Sequence, residues 1–185
     1  MTIAAAILAA GSGTRFGDGG AKLRAEFRGR PLVRWAIDAA LEAGFDELIV
    51  VTGAVDLHEV LPPGASVVHN DRWRRGIASS LTCAVAAAGE HGHDAIVVGL
   101  GDQPFILADA WRSVARASAP VAVATYDGER GNPVRLARQA WSLLPDDGDV
   151  GARRLMAERP DLVTEVACPG SALDIDTQED FARWS

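Results

Sequence analysis

The sequence predicts an α/β fold built on a mostly parallel sheet, and three observations carry the prediction. Residues 3–9 form an unbroken apolar run that stops abruptly at Ala10-Gly11-Ser12-Gly13, the pattern of a strand buried on both faces of a parallel sheet. Two further apolar runs, residues 47–52 and 95–100, are separated by stretches with helical spacing. The 185 residues and 48% hydrophobic content suffice for one domain with a substantial core and are too few for two ordinary ones. Residues 1–185 are therefore expected to form a single domain.

The loop after the first strand is rich in glycine and carries Arg15 and Lys22. Glycines let backbone N–H groups come close to phosphate oxygens, while Arg supplies a bidentate fork and Lys a mobile charge. Ligands of open α/β sheets bind beyond the carboxyl ends of such strands, so this loop reads as a phosphate cradle. Gly11, Gly13 and Gly17 are spaced G-x-G-x-x-x-G, one residue too long for the dinucleotide fingerprint, and Leu23 follows the lysine where a P-loop has Ser or Thr. The competing reading is an ordinary strand-to-helix loop whose Arg15 and Lys22 are solvated.

Beyond Lys22, Arg28-Gly29-Arg30 turns the chain into a helix with Pro31 in its first turn and Gly44 past its end, the placement helix ends favour. Leu32, Trp35, Ala36, Ala39 and Ala40 share one face of it. A strand over residues 47–52 ends at Thr52, a short helix is expected over residues 56–61, and residues 66–69 read as a third strand. Residues 70–80 form a loop carrying Asn70, Trp73 and Gly76 before Ser79 and Ser80 open an alanine-rich helix closed by Gly89; serine at that place suits a helix cap. The strand over residues 95–100 ends in Gly101-Asp102-Gln103-Pro104. A carboxylate there sits where ligands bind, and Mg²⁺ takes one or two carboxylates plus substrate phosphates, so Asp102 is a metal-ligand candidate against the plainer role of a turn aspartate.

A helix over residues 107–118 follows, then strands over residues 121–126 and 133–136, joined by Asp127-Gly128 in a loop longer than two residues and paired antiparallel. Helices are expected over residues 137–144 and 152–158, with an acidic loop between them whose bland reading is a solvated surface. A strand over residues 163–167 and a last helix over residues 177–184 complete the chain; Thr177 and Asp180 resemble a capping box. Asp174 and Asp176 flank Ile175, so in an extended segment both carboxylates point to one side and repel unless a cation joins them, or else they simply favour the start of the last helix.

The net charge of −7 argues against nucleic acid or an anionic membrane as a partner, although Arg15, Lys22, Arg24, Arg28 and Arg30 gather positive charge near the N-terminus. Cys83 and Cys168 suggest neither a disulfide framework nor a zinc site, which fits a reducing cytoplasm. Without a leader segment or a membrane-length apolar run, nothing targets the chain for export. The four histidines, His58, His69, His91 and His93, lack ligand spacing and are read as surface or packing residues.

The motif L-A-A-G-x-G-x-R-x-G followed by lysine, over residues 8–22, resembles the opening of the MobA/MocA-like NTP transferases, above all the molybdenum cofactor cytidylyltransferases. The likeness continues in Arg30-Pro31-Leu32, Asn70 with Trp73 and Gly76, Ser79-Ser80-Leu81, Gly101-Asp102-Gln103-Pro104, Arg130-Gly131-Asn132-Pro133-Val134, Gly148-Asp149-Val150-Gly151-Ala152-Arg153 and Asp174-Ile175-Asp176-Thr177. It implies a Rossmann-like three-layer α/β/α sandwich of the nucleotide-diphospho-sugar transferase kind. It further implies a Mg²⁺-dependent nucleotidyltransferase that moves NMP from an NTP to the phosphate of a molybdopterin-type cofactor and releases pyrophosphate. Arg15, Lys22 and Asp102 are then catalytic. The nucleotide is met by Leu8, Ala9, Ala10, Gly11, Ser12, Gly13, Lys22, Thr52, Asn70, Ser79, Ser80 and Asp102. Asp102 and Asp176, with Asp174 as the weaker choice, hold the metal.

The acceptor is met, by the same resemblance, by Asn132, Pro133, Asp149, Gly151 and Arg153, the last able to bind a phosphate near its helix start. Asn132 stands where the family has histidine, a departure that bears on the acceptor. Ala10 favours CTP, since relatives using GTP tend to carry L-A-G-G. A molybdoenzyme or another cofactor-pathway protein is the kind of partner implied. The alternatives are a GTP-using guanylyltransferase, a sugar- or polyol-phosphate nucleotidyltransferase, and a nucleotide-binding protein without turnover, because fold does not determine substrate.

Overall fold

A computed structural model describes residues 1–17 and 22–185. Nine described strands alternate with helices: β1 (Ile3–Leu8), β2 (Glu26–Phe27), β3 (Arg30–Pro31), α1 (Leu32–Ala43), β4 (Glu47–Thr52), β5 (Ser66–His69), α2 (Ile77–Glu90), β6 (Ala95–Leu100), α3 (Ala108–Ala115), β7 (Val121–Tyr126), β8 (Glu129–Ala137), α4 (Ala152–Glu158), β9 (Val163–Ala167) and α5 (Gln178–Trp184). Seven of the strands form one sheet in the order β5-β4-β1-β6-β8-β7-β9, and β2 pairs with β3 separately. Within the seven, β8 runs antiparallel to both neighbours and the remaining pairs are parallel.

Alternation along β1 builds the three layers. Ala5, Ile7 and Ala9 point into one core with α1 and α3, which contribute Leu32, Val33, Ile37, Trp111 and Val114. Ala4, Ala6, Leu8 and Ala10 point into the other, against Leu81, Ala84 and Ala88 of α2 and Leu155 and Met156 of α4. Strands buried on both faces have no polar side to show, which is why β1 and β6 read as continuous apolar runs. The buried stripe of α1 is Leu32, Val33, Ala36, Ile37 and Ala40. Trp35 and Ala39, expected on that stripe, lie at its edge and are only partly buried. Trp35 donates its indole N–H to Phe27 O at 2.9 Å instead, tying α1 to the β2–β3 hairpin.

Several expected elements differ. Residues 56–61 hold a single 3₁₀ turn, His58–Val60, and residues 137–144 a 3₁₀ helix, Arg138–Leu143. The helix expected over residues 107–118 is shorter, Ala108–Ala115. Asp127 and Gly128 both have positive φ, 50° and 87°, which makes a two-residue turn of the kind that matches strand twist. Residues 129–132 therefore belong to β8 rather than to a longer loop, and a register shift between Val123 and Ala124 absorbs the extra length. Gly76, with φ 92°, is the N-cap of α2, so Ser79 and Ser80 lie inside its first turn and do not cap it. That helix also runs one residue past Gly89.

At the amino-terminal end of the sheet, Glu47 gathers three partners. His91 Nδ1 lies 2.9 Å from Oε1 and His93 Nε2 lies 2.6 Å from Oε2, and Ser66 donates its hydroxyl to the same carboxylate. These two histidines, read as surface or packing residues, tie the ends of α2 and β6 to β4.

Candidate functional site

Leu8 of β1 lies opposite Leu100 of β6, with β4 on the other side of β1, so the strand order reverses between these two carboxyl ends. Ligands of open α/β sheets bind in the crevice at such a point. Here it is a cavity of about 400 Å³ walled by residues 8–14 and by Lys22, Ser80, Asp102, Asp149 and Asp176.

Lys22 is the centre of its charge. The side chain is 7% exposed, and its Nζ lies 2.7 Å from Asp102 Oδ2 and 3.0 Å from Asp176 Oδ1. The two carboxylates are more open, at 24% and 40%, so the cation lies beneath an acidic lining. Gly13 makes room for it: with φ 62° and a left-handed backbone, a Cβ there would stand 3.1 Å from Lys22 Cβ. Asp102 is set by backbone bonds on either side, from Gly101 N to Leu8 O at 3.1 Å and from Ile175 N to Asp102 O at 3.0 Å. The second of these brings Asp176 in, since Ile175 beside it is fully buried. An ammonium between two carboxylates offsets their mutual repulsion.

Asp174 shares this neighbourhood without lining the cavity. Partial removal from water, and then the adjacent Asp102 and Asp176 charges, push its carboxyl above the ordinary range, against the Gln103 amide and Lys22. Gln103, a buried residue that sequence reasoning passed over, donates to Ala172 O at 3.1 Å and accepts from Asn132 Nδ2 at 2.9 Å. Asn132 is thereby connected to the residue after Asp102. The advance signal for Gln103 was its place in the Gly101-Asp102-Gln103-Pro104 motif, beside a strand-end aspartate.

The opposite wall is the segment from Trp73 to Ile77. Asn70 braces it from below: its amide nitrogen donates to Ser79 Oγ and Ser80 Oγ at 2.9 and 3.0 Å, and its Oδ1 accepts from Arg72 N at 2.9 Å. Thr52, Asn70 and Ser79 are buried and stand behind the cavity wall, whereas Ser80 reaches it. The acidic loop latches onto the same segment through Gly148 N to Arg75 O at 2.9 Å, Ala78 N to Gly148 O at 3.1 Å and Arg75 to Asp147 at 3.2 Å. Gly76 has φ 92°, and a Cβ on it would run into Asp149 Oδ1 and Gly148 O. Asp149 therefore lies on the wall shared with the glycine loop. Pro133 and Gly151 are buried, Arg153 is exposed, and none of the three lines the cavity.

Of the clustered N-terminal cations, Arg24 pairs with Glu59, Arg30 with Asp38, and Arg28 donates to Trp184 O. Their charge goes to the surface and to α5, leaving Lys22 in the cavity. The Arg15 side chain lies outside the described structure, as do residues 18–21. Among the described residues no group of three or more His, Cys, Asp or Glu is arranged to hold a metal by itself. Asp102 and Asp176 already share one cation, Lys22, and their hard oxygens suit Mg²⁺ when substrate phosphates complete the shell. No described helix is long and apolar enough to cross a membrane.

Residues 5–163 match the family of MobA-like NTP transferase domains. Nicotine blue oxidoreductase of Paenarthrobacter nicotinovorans is 30% identical over 194 residues, covering 96% of this chain and 93% of its own. Among solved structures, Rv0371c from Mycobacterium tuberculosis H37Rv superposes with a TM-score of 0.86 at 31% identity, over 100% of this chain and 97% of its own; the same protein has been solved in complex with manganese. A nucleotidyl transferase from Methanothermobacter thermautotroptrophicus, Mth528, superposes with a TM-score of 0.84 at 26% identity, over 98% of this chain and 95% of its own.

Proposed function

We propose that this chain, which belongs to the family of MobA-like NTP transferase domains and is a nucleotidyltransferase, moves CMP from CTP onto the phosphate of a molybdopterin-type cofactor with release of pyrophosphate. The observation that carries the reading is the buried Lys22 ammonium held between Asp102 and Asp176, beneath a glycine loop at the carboxyl ends of β1 and β6. Ala10, on the cavity wall, favours CTP over GTP by its likeness to the cytidine-using relatives.

In this reaction an oxygen of the acceptor phosphate attacks the α-phosphorus in line, a new P–O bond forms, and the bond to the pyrophosphate bridging oxygen breaks. Such chemistry rests on positioning and charge neutralisation more than on a covalent nucleophile. The backbone of residues 9–13 receives the base and the triphosphate. Lys22 and Arg15 hold the triphosphate and offset the negative charge moving onto pyrophosphate. Asp102 and Asp176 hold Mg²⁺, which when bound neutralises charge on the reacting phosphates. Asn70, Ser79 and Thr52 support the nucleotide from behind the wall, with Ser80 in contact. Asp149, on the cavity wall, faces the acceptor, and Asn132, Pro133, Gly151 and Arg153, set back from that wall, complete the acceptor side.

The test is pyrophosphate release from CTP, GTP, ATP and UTP with Mg²⁺, with and without molybdopterin cofactor. Release from CTP that requires the cofactor is the expected result. Release that follows sugar or polyol phosphates instead would move the acceptor to that class, and no release with any acceptor would remove the catalytic reading.

A further inference from the structure

The family match ends at residue 163, yet the chain beyond it returns to the cavity. Ile175 donates to Asp102 O, Asp176 meets Lys22, and Thr177 and Asp180 start α5 with both bonds of a capping box. That helix lays Phe181 against two parts of the N-terminal region. Its ring centroid is 5.3 Å from that of Phe16 at an interplanar angle of 71°, and 5.3 Å from that of Phe27 at 65°. One turn earlier, Gln178 reaches Gly17 so closely that a Cβ there would stand 3.0 Å from Nε2. At its other end Trp184 meets Phe105 edge-on at 5.8 Å, and its carbonyl accepts Arg28 Nε at 2.6 Å.

Phe16 ends the 3₁₀ turn Thr14–Phe16 that follows left-handed Gly13. Apart from Arg15, its neighbours in the loop are glycines and small polar residues, which have little apolar surface with which to order themselves. Edge-to-face contact is a favoured geometry for aromatic rings, and Phe16 is the residue of the loop that can use it. A loop ordered before its ligand arrives binds more tightly, because the ordering cost is not drawn from the binding energy.

We propose that Phe181, on α5, is a positioning residue of the nucleotide site. By packing edge-to-face against Phe16 it holds residues 11–17 in register with Lys22, Asp102 and Asp176. The inference rests on the nucleotide reading of this cavity.

The experiment compares wild type with Phe181→Ala, Phe181→Tyr, Phe16→Leu and Trp184→Ala, each confirmed folded by circular dichroism and melting. Hydrogen exchange of the Phe16 and Gly17 amides in ligand-free protein reads the clamp, and calorimetric titration with CTP reads the site. Phe181→Ala is expected to raise exchange at both amides and weaken CTP binding about ten-fold, with KM rising more than kcat falls. Phe16→Leu does the same from the loop side, leaving the helix intact, and Phe181→Tyr restores both readouts. Trp184→Ala loosens the far end of α5 and leaves both unchanged. Unchanged exchange in folded Phe181→Ala and Phe16→Leu proteins overturns the proposal, as does an equal effect of Trp184→Ala. If wild type binds no nucleotide while Phe181→Ala still raises exchange, the nucleotide reading falls and the clamp on the loop stands.

Discussion

The Nζ of Lys22 lies 2.7 Å from Oδ2 of Asp102, a residue 80 positions away in sequence, with Asp176 Oδ1 at 3.0 Å. This buried cation with two more open carboxylates is the chemical centre of the cavity. Lys22→Ala is expected to fold and to lose pyrophosphate release by roughly 10²–10³-fold, the scale for removing one preorganised stabilising group. Lys22→Arg is expected not to rescue it, because the planar fork cannot take the place of a compact ammonium among three closely packed groups. Steady-state release assays on folded variants decide this; a Lys22→Ala enzyme near wild-type rate would contradict it.

Asp102 and Asp176 are expected to govern the metal requirement together. A chelator should abolish release and added Mg²⁺ restore it. Asp102→Asn should raise the Mg²⁺ concentration for half-maximal rate by more than the roughly 10–100-fold that loss of an outer-shell partner costs. A Mg²⁺ titration of wild type and Asp102→Asn measures it, and an unchanged midpoint in Asp102→Asn would assign the metal elsewhere.

Gly76→Ala puts a Cβ where Gly148 O and Asp149 Oδ1 already stand, at a φ of 92° that other residues rarely adopt. The acidic loop must move off the wall or the start of α2 must shift. A loss of about 1–3 kcal/mol is expected, in the range of a strained backbone position. Thermal melting gives the magnitude, and weaker nucleotide binding in a still-folded variant would show that the loop was displaced.

Thr177→Ala removes a side chain that accepts from Asp180 N at 3.1 Å and donates to Asp180 Oδ2 at 2.8 Å. Loss of such a cap costs about 1 kcal/mol. Asp180 Oδ2 also accepts from Asp176 N at 3.3 Å, so the variant is expected to raise the Mg²⁺ concentration for half-maximal rate as well as lower Tm. Thr177→Ser keeps the hydroxyl and should behave as wild type.

Glu47 is expected to give the protein an acid-sensitive end. Burial raises its pKa, but bonds from Ser66, His93 and His91 outweigh this and hold it below the ordinary 4.5. A carboxyl lowered on folding adds stability that is fully present above its unfolded value and is lost as pH falls through the folded one. The melting-temperature gap between wild type and Glu47→Gln should thus shrink as pH falls below about 4.5. A gap that widens on acidification would reverse the assignment.

Much of the architecture was legible in local pattern. The runs of β1, β4 and β6 gave their strands because burial on both faces leaves no polar position to mislead. Pro31 and Gly44 marked the ends of α1, and Thr177 with Asp180 marked the start of α5, because caps are chemistry between near neighbours. The segments at residues 56–61 and 137–144 were harder, and both fold as 3₁₀ structure where α-helices were expected. Asp127-Gly128 announced a hairpin, yet its tight length depended on a register shift across the sheet at Val123 and Ala124, which no local pattern records.

By itself, the sequence determined the strands and helices, the glycine loop with its lysine, and an aspartate at the end of a central strand, since each follows from residues within a few positions of one another. Its motifs also pointed, through family likeness, to the carboxylates that meet. Only the tertiary structure decided that Lys22 lies between Asp102 and Asp176, that Asp149 stands on the wall at Gly76, that His91 and His93 converge on Glu47, and that Phe181 meets Phe16 edge-to-face. Those contacts join segments tens to more than a hundred residues apart. They exist because strand order and the two-sided burial of the sheet bring distant loops to the same end, and local propensity carries no record of that order.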